Sequence, residues 1–255
     1  MTRGTFFEAR RLLSSAVVDV YTRREAALLR GVCALCMHEL PESSRLLDEA
    51  AQLALSASNQ EGHGLALAWR SITALQTGKI VEAEALAQAA EKAVSSTHVS
   101  VLAEAHVRLL TARTYVGVKH GPKAQKAMQI ALANAQKIGS KVLAIDVALS
   151  HAAIKLSESP QDRSAARGIL EKALVEAKEI DYRRAKGEVL LRLADVEFRS
   201  RALEKSQALA DRAESVFNEM GYMMGTDGRD ALNEMLSGST AARSHGLALI
   251  QPPTS

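Results

Sequence analysis

The chain has 255 residues, of which 47% are hydrophobic and only 4% aromatic, and its formal charge is +3 at pH 7. Strong helix formers dominate the composition, which predicts an all-α protein. A charge this close to balance gives no sign of nucleic-acid binding, and two cysteines argue against a disulfide framework and for a reducing compartment. The sequence starts without an apolar signal core and contains no run of 18 apolar residues, so we expect a cytoplasmic or nuclear protein without a membrane partner.

Apolar periodicity and turn residues predict the helices in chain order. A helix over about 6–20 comes before five helix pairs, which cover 23–38/42–57, 63–77/80–95, 99–117/122–138, 141–157/161–179 and 183–199/202–219. Prolines in first turns and glycines at helix ends support these boundaries, namely Pro41, Pro122, Pro160, Gly78, Gly139 and Gly221. A short helix over 227–236 is expected to cap the end, and residues 237–255 are expected to form a disordered tail.

An alanine-centred pattern recurs once in each predicted second helix. It places a small residue, a larger apolar residue or alanine, an alanine and another apolar residue at offsets of 0, 4, 7 and 11. The copies begin at Ser43, Ala83, Ala124, Ala166 and Ser206, so they recur at intervals of about 40 residues. Such offsets form one face of a helix, which a single helix cannot bury alone. The spacing therefore predicts an all-α solenoid of antiparallel helix pairs, with residues 1–236 as one repeat domain.

The junctions between paired helices resemble those of the tetratricopeptide repeat family. In Gly78–Leu86 a glycine ends one helix and an acidic residue followed by alanine opens the next, and the family's small, large and alanine positions fall at Ala83, Ala87 and Ala90. The length of each repeat is similar to the long variety of kinesin light chain and bacterial signalling ATPases. The resemblance covers about 23–219; armadillo or HEAT repeats are the alternative.

This resemblance implies a right-handed α-solenoid, in which the first helix of each pair lines a concave groove that holds a peptide or a partner helix. Counting back from the second-helix motif in the family's register places His106, Leu109, Arg113 and Val116 of the third pair on the groove side. The same count places Glu188, Leu191, Asp195 and Arg199 of the fifth pair there. The charged and polar members of this set, His106, Arg113, Glu188, Asp195 and Arg199, are the candidate partner-binding residues.

The middle of the chain is basic. Residues 105–145 contain no acidic side chain but seven basic ones, which are Arg108, Arg113, Lys119, Lys123, Lys126, Lys137 and Lys141. One interpretation is a basic central repeat that selects an acidic peptide, in which Arg108 and Lys119 join the binding residues; the other is a solvated helix face. Tyr115 is the only aromatic residue of this segment, which argues against stacking on nucleic-acid bases.

Two further features have a functional and a structural interpretation. Trp69, the sole tryptophan, is a candidate anchor for a peptide, and the alternative is that it packs between helices. Cys33 and Cys36, with His38 nearby, have the spacing of a redox dithiol or of half a zinc site. They lie inside a predicted helix and no second ligand pair follows, so we interpret them as buried small side chains.

Catalytic motifs are missing from the sequence: it has no Gly-x-Ser-x-Gly elbow, no phosphate loop and no His-Glu-x-x-His. We therefore predict no enzyme activity, no cofactor and no metal. The main functional hypothesis is a protein-interaction scaffold or adaptor that binds a protein or peptide, as a subunit of a larger assembly. The alternatives are a regulatory or sensor module of a larger signalling ATPase or transcription regulator, and a self-assembling structural subunit.

Overall fold

The computed structural model describes residues 20–95, 98–158 and 162–219, and within these ranges the regular elements are ten α-helices and no strand. They are α1 (Val20–Cys36), α2 (Leu40–Ser56), α3 (Gln60–Gln76), α4 (Ile80–Ala93), α5 (Val101–Gly117), α6 (Gly121–Lys137), α7 (Lys141–Glu158), α8 (Arg163–Glu179), α9 (Arg183–Arg199) and α10 (Leu203–Glu219). The all-α fold of antiparallel helix pairs is confirmed. The predicted helices over 6–20 and 227–236 and the tail over 237–255 fall outside the described residues, except for residue 20. None of the described helices is long and apolar enough to cross a membrane.

Packing divides the chain into two compact units, which meet in sequence between Ile138 and Gly139. The N-terminal unit contains the three pairs from α1 to α6, and the C-terminal unit contains the two pairs from α7 to α10. A single repeat domain over 1–236 stays a prediction.

The alanine-centred pattern forms the buried stripe of every second helix. All twenty positions of the five copies are at most 4% exposed. Small side chains let the first helix of each pair approach closely, and larger ones such as Leu47 and Leu170 fill the remaining space. The repeat detected in the sequence is therefore the packing unit of the fold.

Where two paired helices cross, a glycine on one helix makes room for a large side chain on the other. A Cβ atom placed on Gly187 of α9 would lie 2.6 Å from two ring carbons of Phe217 on α10. In the second pair, a Cβ atom on Gly64 would lie 2.6 Å from Cγ1 of Val94. Glycine therefore occurs on the first helix where the partner stripe ends in a large residue.

Most helices end in the same left-handed turn. Its middle residue has a positive φ in seven described connections, at His38, Ser58, Gly78, Lys119, Gly139, Asp181 and Arg201. In the turn at Gly78, the N–H of Lys79 donates to the carbonyl of Ala74 at 2.9 Å and that of Gly78 to Leu75 at 3.0 Å, which is a Schellman motif. Glycine adopts this conformation without steric cost, so the predicted helix-ending roles of Gly78 and Gly139 are confirmed.

First helices and second helices pack differently within a unit. The first helices of successive pairs lie against each other, α1 with α3, α3 with α5, and α7 with α9. Among the described residues, no two second helices pack against each other in this way. Within each unit, successive pairs therefore pack closely along their first helices. We call the solvent-facing side of these helices the first-helix face.

Candidate functional site

The first-helix face of the N-terminal unit includes partly exposed apolar side chains, most of them on α3. On α3, Leu65, Trp69 and Ile72 are spaced four and three residues apart, so they lie on one side of the helix. Each packs against a buried cluster and keeps part of its surface in solvent. Val32 of α1 occupies the position of Ile72 one repeat earlier and is also half-buried. This side of α3, together with Val32 of α1, therefore presents apolar side chains to solvent.

Trp69 connects two layers of packing. It contacts the cluster formed mainly by α1 and α2 and also the cluster that includes α4 and α5, and it remains partly exposed. Its neighbour Arg70 is buried, and the guanidinium lies 3.0 Å from Asp48 Oδ1 and 2.6 Å from Glu82 Oε1. The tryptophan thus packs between helices, while the adjacent arginine is held by second-helix carboxylates.

The third pair adds basic groups to the same face. His106 is exposed at the α5 position that corresponds to Leu65, and Arg113 is half-buried at the position that corresponds to Ile72. Nδ1 of His106 lies 3.1 Å from the carbonyl oxygen of Leu102, so Nδ1 must carry the proton if this contact is a hydrogen bond. The other ring nitrogen is then left for solvent or a partner.

The remaining basic residues of 105–145 divide into paired and unpaired groups. Arg108, 11% exposed in its side chain, has Nη1 2.8 Å from Oε2 of Glu91. Lys123 donates to Oε1 of Glu84 at 2.8 Å. These carboxylates belong to the preceding helix pair, so the segment that lacks acids in sequence is partly neutralised in space.

Three lysines of this segment have no such compensation. Lys119, Lys126 and Lys137 are exposed and form no ion pair with any described residue. Lys119 lies in the left-handed turn before α6, with a φ of 58°. Lys126 and Lys137 lie on α6, which is a second helix and not part of the first-helix face.

A polar cluster joins the second and third pairs around Glu84. Its Oε1 atom lies 2.8 Å from Lys123 Nζ and 3.0 Å from His120 Nδ1. Hydrogen bonds from Lys123 and then His120 hold the pKa of the Glu84 carboxyl below its ordinary value. Lys123 also lies 5.7 Å from the ring centroid of buried Tyr115, and burial followed by the charges of Glu91 and Glu84 raises the pKa of Tyr115. The cluster ties α4 to α5 and α6.

The first-helix face of the C-terminal unit is polar. Arg184 of α9 has Nη1 2.9 Å from Glu188 Oε1 and Nη2 3.2 Å from Asp146 Oδ1 on α7. Arg184 also donates to the hydroxyl of Tyr182, which in turn lies 3.4 Å from both carboxylate oxygens of Asp146. Burial lowers the pKa of Arg184, but the charges of Glu188 and Asp146 outweigh it and raise the pKa overall.

The other two predicted residues of α9 also pair with each other. Asp195 is buried, and its Oδ1 atom accepts a hydrogen bond from Nε of Arg199 at 2.8 Å. The structure therefore brings Glu188, Asp195 and Arg199 together on one helix, each with a charged partner inside the unit. Their role in binding stays a prediction.

Cys33 and Cys36 form no disulfide and are half-buried on α1, so they are less enclosed than the sequence predicted. Within the described ranges, no group of three or more His, Cys, Asp or Glu side chains is arranged to hold a metal ion. The two thiols are therefore not part of such a group among these residues.

Sequence reasoning missed the apolar part of the N-terminal face. The family register was applied only to the third and fifth pairs, where the chosen binding residues are charged or polar. Two apolar groove positions of that register were wrong, because Leu109 and Leu191 are buried in the fold. Shifting His106 and Arg113 back by one repeat identifies Leu65 and Ile72. The repeat spacing alone could have found them.

Comparison with known proteins gives the fold. No protein-family model matches the sequence, and no match is found among curated proteins. Solved structures match at high structural similarity and low identity. Aspartyl phosphate phosphatase F from Bacillus subtilis has a TM-score of 0.65 at 12% identity over 91% of this chain and 59% of its own. BtubC (BKLC) from P. vanneervenii has a TM-score of 0.62 at 15% identity over 85% of this chain and 88% of its own.

A third similar structure is a signal transduction ATPase with numerous domains, with a tetratricopeptide repeat sensor, from Pyrococcus horikoshii. Its TM-score is 0.59 at 13% identity over 97% of this chain and 40% of that protein. The chain thus spans less than two thirds of the phosphatase and of the ATPase. At these identities the likeness shows the fold alone, which is a helical repeat array.

Proposed function

We propose that this chain is a non-catalytic protein-interaction module of the tetratricopeptide type, and that the first-helix face of its N-terminal unit binds a partner peptide. The observation that carries the proposal is the side of α3 with Leu65, Trp69 and Ile72, where apolar side chains stay half exposed on closely packed first helices. Such a surface is held in place by the fold, so little conformational entropy is lost when a peptide is bound.

The neighbouring groups indicate the chemistry of the peptide. Apolar side chains of the peptide would contact Leu65 and Ile72 on α3. On the next first helix, α5, His106 and Arg113 favour a carboxylate of the peptide. Packed helices lie about 8–10 Å apart, and an extended chain advances about 3.3 Å per residue. The favoured peptide therefore has an apolar residue followed by an acidic residue about three positions away, with burial giving affinity and charge giving specificity.

The C-terminal unit is a poor site for the same peptide. Its Asp146, Arg184 and Glu188 already satisfy one another, as do Asp195 and Arg199. A peptide that bound there would have to replace these ion pairs, and leaving one partner of such a pair uncompensated is costly. The peptide site is therefore proposed to lie within residues 20–138.

Selection from a displayed random peptide library tests this proposal, with a matched pair of variants. Ile72→Asp changes the N-terminal face, and Ala153→Asp introduces the same side chain on α7, at the same distance from the start of the helix. Peptides selected on the native chain are expected to lose at least about thirtyfold affinity for Ile72→Asp, the effect of removing an interface hot spot. They should bind Ala153→Asp normally. Equal effects of the two variants, with both folded by circular dichroism, would contradict the proposal.

A second candidate function is a regulatory or sensor module within a larger signalling protein. The match that favours it covers 97% of this chain and only 40% of an ATPase with a repeat sensor. In that case the peptide would be a ligand whose binding controls another domain. Sequencing of the complete reading frame tests the idea, because an adjoining ATPase or DNA-binding domain is expected for a sensor and not for a free-standing adaptor.

A further inference from the structure

Helix α6 has a lysine-bearing side that is turned away from the first helices. The buried residues of α6 are Ala124, Ala127, Met128, Ala131 and Ala135. On another side, Lys126, Gln129, Ala133 and Lys137 follow at spacings of three, four and four residues, and they are exposed or half-exposed. These four residues form what we call the outer side of α6.

The positive charge of this outer side is not compensated within the described chain. Two other basic residues of the third pair use the carboxylates nearby, since Arg108 pairs with Glu91 and Lys123 with Glu84. Lys126 and Lys137 form no ion pair with a described residue, and α6 itself contains no acidic residue. Part of the positive charge of the basic segment therefore lies on the exposed side of a second helix.

We propose that the outer side of α6 is a second interaction surface, which binds an acidic helix of a protein partner. Lys126 and Lys137 are eleven residues apart, or about 16 Å along the axis, and two carboxylates eleven residues apart on a partner helix match that spacing. Between the lysines, Gln129 and Ala133 leave a polar surface of modest size on which a helix can lie close. The surface is separate from the proposed peptide site.

The residue types favour a protein over a nucleic acid. Helix α6 contains no aromatic residue on which a base could stack, and no arginine to fork around a phosphate. Tyr115, the aromatic residue of the same pair, is buried beneath Lys123. Lysines separated by glutamine and alanine suit carboxylates that are held apart on a helix, and they steer the encounter electrostatically.

The test uses the full chain and a defined probe. The probe is a fluorescein-labelled helical peptide of alanine and glutamine with two glutamates eleven residues apart, titrated by fluorescence anisotropy. The test variant is Lys126→Gln with Lys137→Gln. The control variant is Lys178→Gln with Lys205→Gln, which removes the same net charge from exposed sites on α8 and α10. Glutamine and lysine have similar helix propensity, so both variants should unfold at the temperature of the native chain.

The native chain is expected to bind the probe at about 10 mM ionic strength, where the Debye length is about 30 Å. The test variant should bind about tenfold more weakly, because it loses two ion pairs, and the control should bind normally. The difference should shrink at about 150 mM salt, where exposed charges are screened. Equal losses in the two variants, no binding by the native chain, or tighter binding of an oligonucleotide of equal charge would overturn the proposal. Ile72→Asp should leave probe binding unchanged, so this test is independent of the peptide site.

Discussion

The two units are built from the same kind of helix pair, but their first-helix faces differ. In the N-terminal unit, α3 carries Leu65 and Ile72 at two outward positions. At the equivalent positions of the C-terminal unit, α9 carries Glu188 and Asp195, which pair with Arg184 and Arg199. The first-helix face of the N-terminal unit therefore offers apolar surface to a partner. In the C-terminal unit, the charged residues of that face pair with each other.

This difference shows at which positions packing restricts the residue type and at which positions the residue type can vary. The stripe of each second helix is buried in all five pairs, because it packs against the first helices. The first-helix positions of Leu65 and Ile72 are less enclosed than the stripe, and their residue types differ between the second and fifth pairs. Binding properties are therefore expected at the positions where the repeats differ.

The largest predicted effect concerns the buried stripe of the second helices, which each unit has in its own core. Phe217→Ala should lower the free energy of unfolding by about 3–5 kcal/mol, because it leaves a cavity against Gly187. Val94→Ala, the equivalent change in the second pair, should cost about 2 kcal/mol because it removes fewer carbon atoms. Urea unfolding followed by circular dichroism measures both. Equal losses would mean that the two stripes are not packed by the same rule.

The next prediction exchanges the two faces. Leu65→Glu gives the N-terminal face the residue type of Glu188 and should weaken selected peptides by at least about 2 kcal/mol, as for a hot spot. The reverse change, Glu188→Leu, should leave their affinity within about twofold, because surface substitutions away from a site have effects near zero. Isothermal titration of both variants compares them. A loss of affinity on Glu188→Leu alone would locate the site in the C-terminal unit.

The glycines at the helix crossings give the third prediction. Gly187→Ala should destabilise the protein by about 1–3 kcal/mol, because its Cβ would overlap the ring of Phe217. Gly168→Ala on α8 is the control, since nothing lies within 4 Å of its Cβ, and it should stabilise by about 0.5–1 kcal/mol. Combining Gly187→Ala with Phe217→Ala should destabilise by less than the sum of the single changes. Additive losses in thermal unfolding would exclude the proposed contact.

The smallest predicted effect is a pH dependence at Glu84. Because its folded pKa is lowered, its contribution to stability is present above the unfolded value of about 4.3 and is lost as pH falls through the folded pKa. Glu84→Gln should therefore be less stable than the native chain at pH 7 and equal to it in strong acid. Urea midpoints measured across this range test the sign. A gap that stays constant with pH would contradict it.

The fold could be predicted from the sequence because its packing rule is local and repeated. The offsets in Ser43 to Ala54 define one helix face, and the recurrence of the pattern at a nearly constant interval shows that the face meets the same surroundings each time. Both the offsets and the interval can be read from the sequence. The predicted helix boundaries therefore differ from the observed ones by at most three residues.

The site was harder to predict because charge pairs form between helices. Lys123 meets Glu84 from the preceding pair, and Arg108 meets Glu91 from the same preceding helix. A run of basic residues in the sequence does not show which of them will find a carboxylate on a neighbouring helix. The partner-binding role of Arg108 and Lys119 stays a prediction, with Arg108 largely enclosed and Lys119 exposed in a turn.

Amide hydrogen exchange of the full chain, with and without a selected peptide, tests the central claim most directly. If the first-helix face of the N-terminal unit is the binding site, the peptide should slow exchange in α1, α3 and α5 and leave α7 and α9 unchanged. Protection centred on α7 and α9, or confined to second helices, would contradict the claim.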